Sequence, residues 1–84
     1  MNMNRKIVLK EPVNVIYEGR ILEYVIRVFE IHLLRSGKPW RVLAKDLKNP
    51  QKQAAPYEYE YLDYESRERL DKIIADSELQ VITQ

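Results

Sequence analysis

Basic side chains on both sides of a predicted turn are the residues best suited to chemistry in this sequence. Arg27 precedes the turn at residues 35–39, and Arg41 and Lys45 follow it. Arg41 and Lys45 are four residues apart, so in a strand they project from the same face. Arginine binds phosphate through paired hydrogen bonds, and a hairpin would gather these cations. Two interpretations stay open, an anion site for a nucleic acid and an ordinary solvated surface. The candidate binding set comprises Arg27, Arg35, Lys38, Trp40, Arg41, Lys45 and Arg69.

A tyrosine-rich stretch is the second candidate. Tyr57, Tyr59 and Tyr61 alternate with glutamates, which predicts a strand with the tyrosines on one face. An aromatic face of this kind can stack single-stranded bases or form a protein interface, where tyrosine is enriched. The alternating glutamates would repel phosphates, so the stronger interpretation is that the tyrosines pack against a following helix. If the tyrosines carry a function, we assign Tyr57, Tyr59 and Tyr61 to a protein interface rather than to a nucleic-acid site.

Catalytic and metal chemistry have little support. The chain has no cysteine and a single histidine, His32, which lies inside an apolar run. Disulfides, thiolate zinc sites and a cysteine nucleophile are excluded. The acidic residues after position 62 match no calcium-loop spacing. We predict no catalytic residue, no metal site and no cofactor.

The elements that must position these side chains are mostly short strands. Residues 13–17 alternate in a strand pattern, and the β-branched and aromatic content of residues 21–34 favours a strand over an amphipathic helix. Gly19 and Gly37 mark turns, with Gly19 expected at positive φ. Residues 46–55 form a polar loop. Ser66 is placed as the N-cap of a short helix at 66–76, and residues 79–83 alternate as a closing strand.

Composition bounds the remaining possibilities. The chain of 84 residues has 45% hydrophobic and 32% charged residues, values typical of one small folded domain spanning residues 1–84. No apolar run approaches the length that a membrane helix needs, so the expected location is the cytoplasm, with no membrane partner. Residues 1–50 hold ten Lys and Arg against five Asp and Glu, whereas residues 51–84 hold four against eight. A basic first half suits an anionic partner, unless the two halves simply complement each other.

The run RVFEIHLLRSGKPWRVLAKDL at residues 27–47 is similar to the WYL domain family. Arg27 matches an opening arginine, Gly37 the turn and Trp40 the tryptophan, while Arg41 and Val42 replace the family's tyrosine and leucine. Residues 13–17 and 69–73 resemble flanking motifs, the second of which would be extended rather than helical. The resemblance implies an SH3-like or Sm-like β-barrel of the kind found in bacterial regulators and defence systems. It places a ligand site at Arg27, Arg41 and Arg69.

Together these features predict an α+β domain, with a strongly bent antiparallel sheet or small barrel and one helix in the C-terminal half. The predicted function is a non-catalytic regulatory module that binds a nucleic acid or a similar ligand, as a WYL-like accessory protein or phage-type modulator. The alternative is a protein-interaction subunit, for example a homodimer joined through a sheet edge.

Overall fold

Four antiparallel strands and one helix make up the fold. A computed structural model describes the backbone of residues 5–19 and 22–83, and the side chains of these residues as far as Ser77. The strands pair in chain order as a meander. They are β1 (Arg5–Glu18), β2 (Glu23–Leu33), β3 (Pro39–Asp46) and β4 (Ala55–Glu58), followed by a 3₁₀ turn (Tyr59–Tyr61) and the helix α1 (Tyr64–Thr83). The predicted α+β class is confirmed.

Strand β1 is one long strand with an irregularity in its middle. Its pairing with β2 shifts register between Val8 and Val13. Pro12 lies in this irregular segment, where the absence of a backbone N–H does not interrupt a regular ladder. On both sides of the register shift, β1 presents apolar side chains to the core, including Ile7 before it and Val15 after it.

The hairpin between β2 and β3 confirms both the predicted strand and the predicted turn. The turn is closed by hydrogen bonds from the Leu34 N–H to the Lys38 carbonyl and from the Gly37 N–H to the Leu34 carbonyl, each 2.8 Å. Gly37 has a φ of 95°, a conformation that favours glycine. Gly19, which was expected at positive φ, does not adopt it.

Of two strand predictions in the second half of the chain, one is confirmed in part and one is wrong. The tyrosine stretch forms β4 only as far as Glu58, because Tyr59 turns inward and is buried, with its hydroxyl hydrogen-bonded to α1. Residues 79–83 continue α1 instead of forming a closing strand. No glycine or proline interrupts residues 64–83, and adding residues to an established helix costs less than starting a new element.

The N-cap of helix α1 lies three residues earlier than predicted, at Asp63 rather than at Ser66. The Asp63 carboxylate accepts a hydrogen bond from the Ser66 N–H at 2.9 Å, which is the N-cap arrangement. Ser66 is instead buried, and its hydroxyl accepts from the Ile16 N–H at 3.0 Å. The Asp63 N–H donates to the Ile16 carbonyl at 3.0 Å. These hydrogen bonds attach the first turn of the helix to the edge of β1 that does not pair with β2.

The core lies between the inner face of the sheet and α1. Val15, Ile26 and Val42 from the sheet pack in one cluster with Leu70 and Ile74 from the helix. An isolated bridge between Tyr17 and Leu62 brings the end of β1 close to the segment after the 3₁₀ turn. The second face, called here the outer face, is left without a covering element within the described parts of the chain.

Candidate nucleic-acid interface

The strand register aligns basic side chains on the outer face. Asn14 on β1 pairs with Arg27 on β2, and Arg27 pairs with Lys45 on β3. Residues directly opposite each other in an antiparallel sheet project to the same side, with their Cα atoms about 4.5–5.5 Å apart. Arg27 and Lys45 therefore form a pair of adjacent cations.

Asn14 brings a third cation to this row. Its side-chain oxygen accepts a hydrogen bond from Arg27 Nε at 3.1 Å, and its backbone oxygen accepts from Arg69 Nη1 at 2.7 Å. Arg69 comes from α1, which reaches β1 because Asp63 and Ser66 fasten the start of the helix there. Arg69 and Arg27 thus bind the same residue from two different elements.

A second row crosses the sheet at Lys6, His32, Arg41 and Glu58. Lys6 pairs with His32, His32 pairs with Arg41, and Arg41 pairs with Glu58 on β4. Arg41 Nε donates to His32 Nδ1 at 2.8 Å, and His32 Nε2 lies 3.0 Å from a carboxylate oxygen of Glu30. A ring nitrogen that accepts from arginine carries no proton, so this geometry assigns the proton to Nε2, which donates to Glu30. The guanidinium carbon of Arg41 also lies 4.3 Å from the centroid of the Trp40 ring.

Glu30 is the carboxylate between the two rows. The hydrogen bond from His32 and the charge of Lys6, whose Nζ is 3.7 Å away, lower the pKa of Glu30, although burial acts in the opposite direction. Glu30 is therefore ionised at neutral pH, and its charge is compensated by Lys6. Within the described residues, the other cations of this region form no ion pair with a carboxylate. These cations, Arg27, Arg41, Lys45 and Arg69, are called the basic face below.

The basic face has the dimensions of an elongated binding surface. Arg41 and Lys45 are four residues apart on one regular stretch of β3, which corresponds to about 13 Å at the rise of a strand. Exposed aliphatic side chains, including Ile16 and Val25, lie beside the Arg27 row. A compact ion would reach one row only, whereas a polymer with repeated negative charges would reach both.

The remaining predicted binding residues lie elsewhere. Arg35 is exposed in the β2–β3 turn. Lys38 and Trp40 line a groove beside that turn. The structure therefore brings together four of the seven predicted residues and separates three from them, although Trp40 stays in contact with the basic face through Arg41.

The three predicted interface tyrosines do not share one exposed face. Tyr57 packs edge-on against Tyr17, with the ring centroids 4.9 Å apart. Tyr61 packs edge-on against the same ring, with a distance of 6.2 Å between the centroids. Tyr59 is only 8% exposed, and its hydroxyl donates to the Arg67 carbonyl and to Asp71. Burial and this carboxylate contact raise the pKa of Tyr59. Of the three tyrosines, Tyr61 is the exposed one, with 42% of its surface accessible to solvent.

Sequence reasoning missed Lys6, Asn14 and His32 as members of this surface. Their positions depend on the register between β1 and β2, which shifts at residues 8–13 and cannot be read from periodicity alone. The alternation of residues 13–17 was the available signal for Asn14, because it places Asn14 on the face opposite Val13 and Val15.

The chain matches no family model, no curated protein and no solved structure in the comparisons. In the described part of the chain, no three His, Cys, Asp or Glu residues are grouped so that they could hold a metal ion. No described helix combines the length and apolar character that crossing a membrane requires.

Proposed function

We propose that this protein binds nucleic acid through the basic face, as a non-catalytic module. The observation that carries the proposal is the alignment of Arg27 and Lys45 in one cross-strand row with Arg69 at its edge and Arg41 in the next row. Four cations on one open surface, none of them in a direct ion pair with a carboxylate of the described residues, match the repeated charges of a phosphate backbone. Glu58, opposite Arg41, is the carboxylate at the end of the second row.

The chemistry of the face favours contacts with phosphates over contacts with bases. Arg27 and Arg69 each keep guanidinium N–H groups beyond the one bound to Asn14, and these groups can bind phosphate oxygens. Base stacking needs exposed aromatic rings on the binding surface. Tyr57 and Tyr59 pack on the inner side instead, and the exposed Trp40 ring is in contact with the guanidinium of Arg41. We therefore expect binding with little dependence on base sequence.

The resemblance to the WYL domain family supports this proposal on two strands of the sheet. Arg27, Arg41 and Arg69 are the residues to which the resemblance assigns a ligand site, and all three belong to the basic face. Residues 69–73 lie within α1, however, whereas the resemblance expects an extended segment there, so Arg27 and Arg41 carry the agreement. A WYL-like accessory role, with a nucleic acid or a nucleic-acid-like ligand, is thus the specific form of the function that we propose.

The test is a fluorescence-anisotropy titration of labelled 20-nucleotide single-stranded DNA, duplex DNA and RNA at 50 mM salt. Arg27→Ala/Lys45→Ala is the test variant. Lys52→Ala/Lys72→Ala is the matched control, because it removes the same charge from exposed residues outside the four strands.

We expect the parent protein and the control variant to bind at least one of these nucleic acids and the test variant to bind at least tenfold more weakly. Far-ultraviolet circular dichroism of each variant establishes that the fold is retained. An equal loss of affinity in both variants would show that only net charge matters and would contradict the assignment to the basic face. Absence of binding by the parent protein would refute the proposed function.

A further inference from the structure

A second surface lies between the β2–β3 turn and α1 and meets the basic face at Arg41, which contacts Trp40 and lies opposite Glu58. It is an open groove with a volume of about 760 Å³. Trp40 lines it from the hairpin side, Glu60 from the 3₁₀ turn, and Tyr64 and Glu68 from the helix. No residue of the basic face lines this groove.

The charge of the groove is opposite to that of the basic face. Its lining includes four carboxylates and two cations, which are Glu58, Glu60, Glu68 and Asp71 against Lys38 and Arg67. The acidic second half of the sequence therefore forms a surface of its own. Because the groove carries an excess of negative charge, it disfavours nucleic acid and favours a cationic ligand.

Exposed apolar side chains accompany these carboxylates. Leu34 and Trp40 are each 37% exposed, and Tyr64 is 67% exposed. The Tyr64 hydroxyl donates to the Glu68 carboxylate at 3.2 Å, which places an aromatic ring beside a carboxylate. Aromatic side chains of this kind are the usual anchors of protein interfaces, and tryptophan and tyrosine also attract cations to their ring faces.

Arg67 and Lys38 are the two cations that line the groove. The Nε atom of Arg67 is buried without a hydrogen-bond partner among the described residues, so it does not offer a donor to a ligand in the groove. Asp71 in the same groove is already engaged by the Tyr59 hydroxyl at 2.5 Å, which leaves Glu58, Glu60 and Glu68 as the carboxylates for a ligand. Because Glu58 lies opposite Arg41 in the sheet, the two carboxylates assigned to the ligand are Glu60 and Glu68.

From these observations we infer that the groove binds an extended segment of a partner protein, in which lysine or arginine side chains alternate with apolar ones. The cationic side chains pair with Glu60 and Glu68, and the apolar side chains contact Trp40 and Tyr64. This site does not depend on the proposed nucleic-acid function, since the two surfaces share no residue.

Trp40 provides a direct readout, because it is the only tryptophan of the chain and lies in the groove. The probe is an acetylated and amidated octapeptide that alternates leucine with lysine, and the control peptide alternates leucine with glutamate. We expect the lysine peptide to shift Trp40 emission in a saturable manner and the glutamate peptide to leave it unchanged.

The variant Glu60→Gln/Glu68→Gln tests the assignment to these carboxylates. Exposed charge pairs contribute modestly, so we expect the variant, which loses two of them, to bind the lysine peptide about five- to tenfold more weakly. Arg27→Ala/Lys45→Ala should bind it as tightly as the parent does. The inference is overturned if the lysine peptide gives no saturable shift, if both peptides bind equally, or if the Glu60→Gln/Glu68→Gln variant retains full affinity.

Discussion

Replacing Arg27 and Lys45 with alanine removes two of the four cations of the basic face, and the consequence for salt dependence can be calculated. Each phosphate neutralised on duplex DNA contributes about −0.9 to the slope of log K against log salt concentration. Four contacts give a slope of about −3.6, which is a loss of about 150-fold in affinity between 50 and 200 mM salt. Two contacts give about −1.8 and a loss of only about 12-fold.

The assay is the anisotropy titration of a labelled duplex at five salt concentrations between 50 and 200 mM, with the parent and the double variant measured side by side. The slope is the informative quantity, because it counts contacts whereas affinity alone also reflects unfolding or a changed orientation. We expect the slope of the double variant to be about half that of the parent.

One result would refute this reasoning directly. If the parent and the double variant have the same slope, Arg27 and Lys45 contact no phosphate, and any affinity resides elsewhere on the molecule. A parent slope near zero would contradict the electrostatic basis of the whole proposal, even if binding were tight.

Three further predictions concern stability. Asp63→Ala removes the helix N-cap and should lower the free energy of unfolding by about 1 kcal/mol in urea denaturation. The pKa of Asp63 is lowered in the folded state, chiefly by hydrogen bonds from Ser66. The contribution of Asp63 to the free energy of unfolding is therefore present above its unfolded pKa of about 3.9 and is lost as the pH falls through its folded pKa. The variant should therefore show a shallower acid destabilisation than the parent, and identical acid profiles would contradict this assignment. Tyr59→Phe should lower the free energy of unfolding by about 1 kcal/mol, because it removes the hydroxyl hydrogen bonds. The pKa of Tyr59 is raised in the folded state, so the parent should lose stability above about pH 10, where the unfolded tyrosine ionises, and the variant should lose less. Thermal melts at pH 8 and pH 10.5 would measure this difference. Gly37→Ala should cost about 1–2 kcal/mol because of its φ of 95°, measured by chemical denaturation, and an unchanged midpoint would show that the turn relaxes without strain.

Local turn chemistry explains which parts of the fold were predictable. The β2–β3 hairpin was predicted because Gly37 and the flanking β-branched residues act within a few positions of each other. The start of α1 was missed by three residues because Asp63 and Ser66 are both good N-cap types, and only the packing against Ile16 decides between them. The strand predicted over the tyrosines ends at Glu58 instead of Tyr61 for a similar reason, because the burial of Tyr59 against a helix later in the sequence overrides the local alternation.

The candidate site was predictable where it depends on spacing within one strand. Arg41 and Lys45 share a face because they are four residues apart on β3, and the hairpin places Arg27 opposite Lys45. The roles of Asn14 and His32 follow from register across β1 and β2, which the irregularity near Pro12 resets. The acidic groove was not predicted, because its lining combines the hairpin turn with a helix that begins more than twenty residues later in the sequence.

The attachment of α1 to β1 also defines how the molecule opens. The Ile16 N–H is held by a serine hydroxyl, and the Asp63 N–H by the Ile16 carbonyl, so neither amide belongs to a regular ladder or helix. These two amides can exchange with solvent whenever the helix separates from the sheet, even while the four strands remain paired. Their deuterium exchange rates would therefore measure the free energy of helix detachment separately from that of global unfolding. A helix that detaches easily would also expose the edge of β1 to pairing with another chain, so the same two amides report how well this protein is protected against self-association.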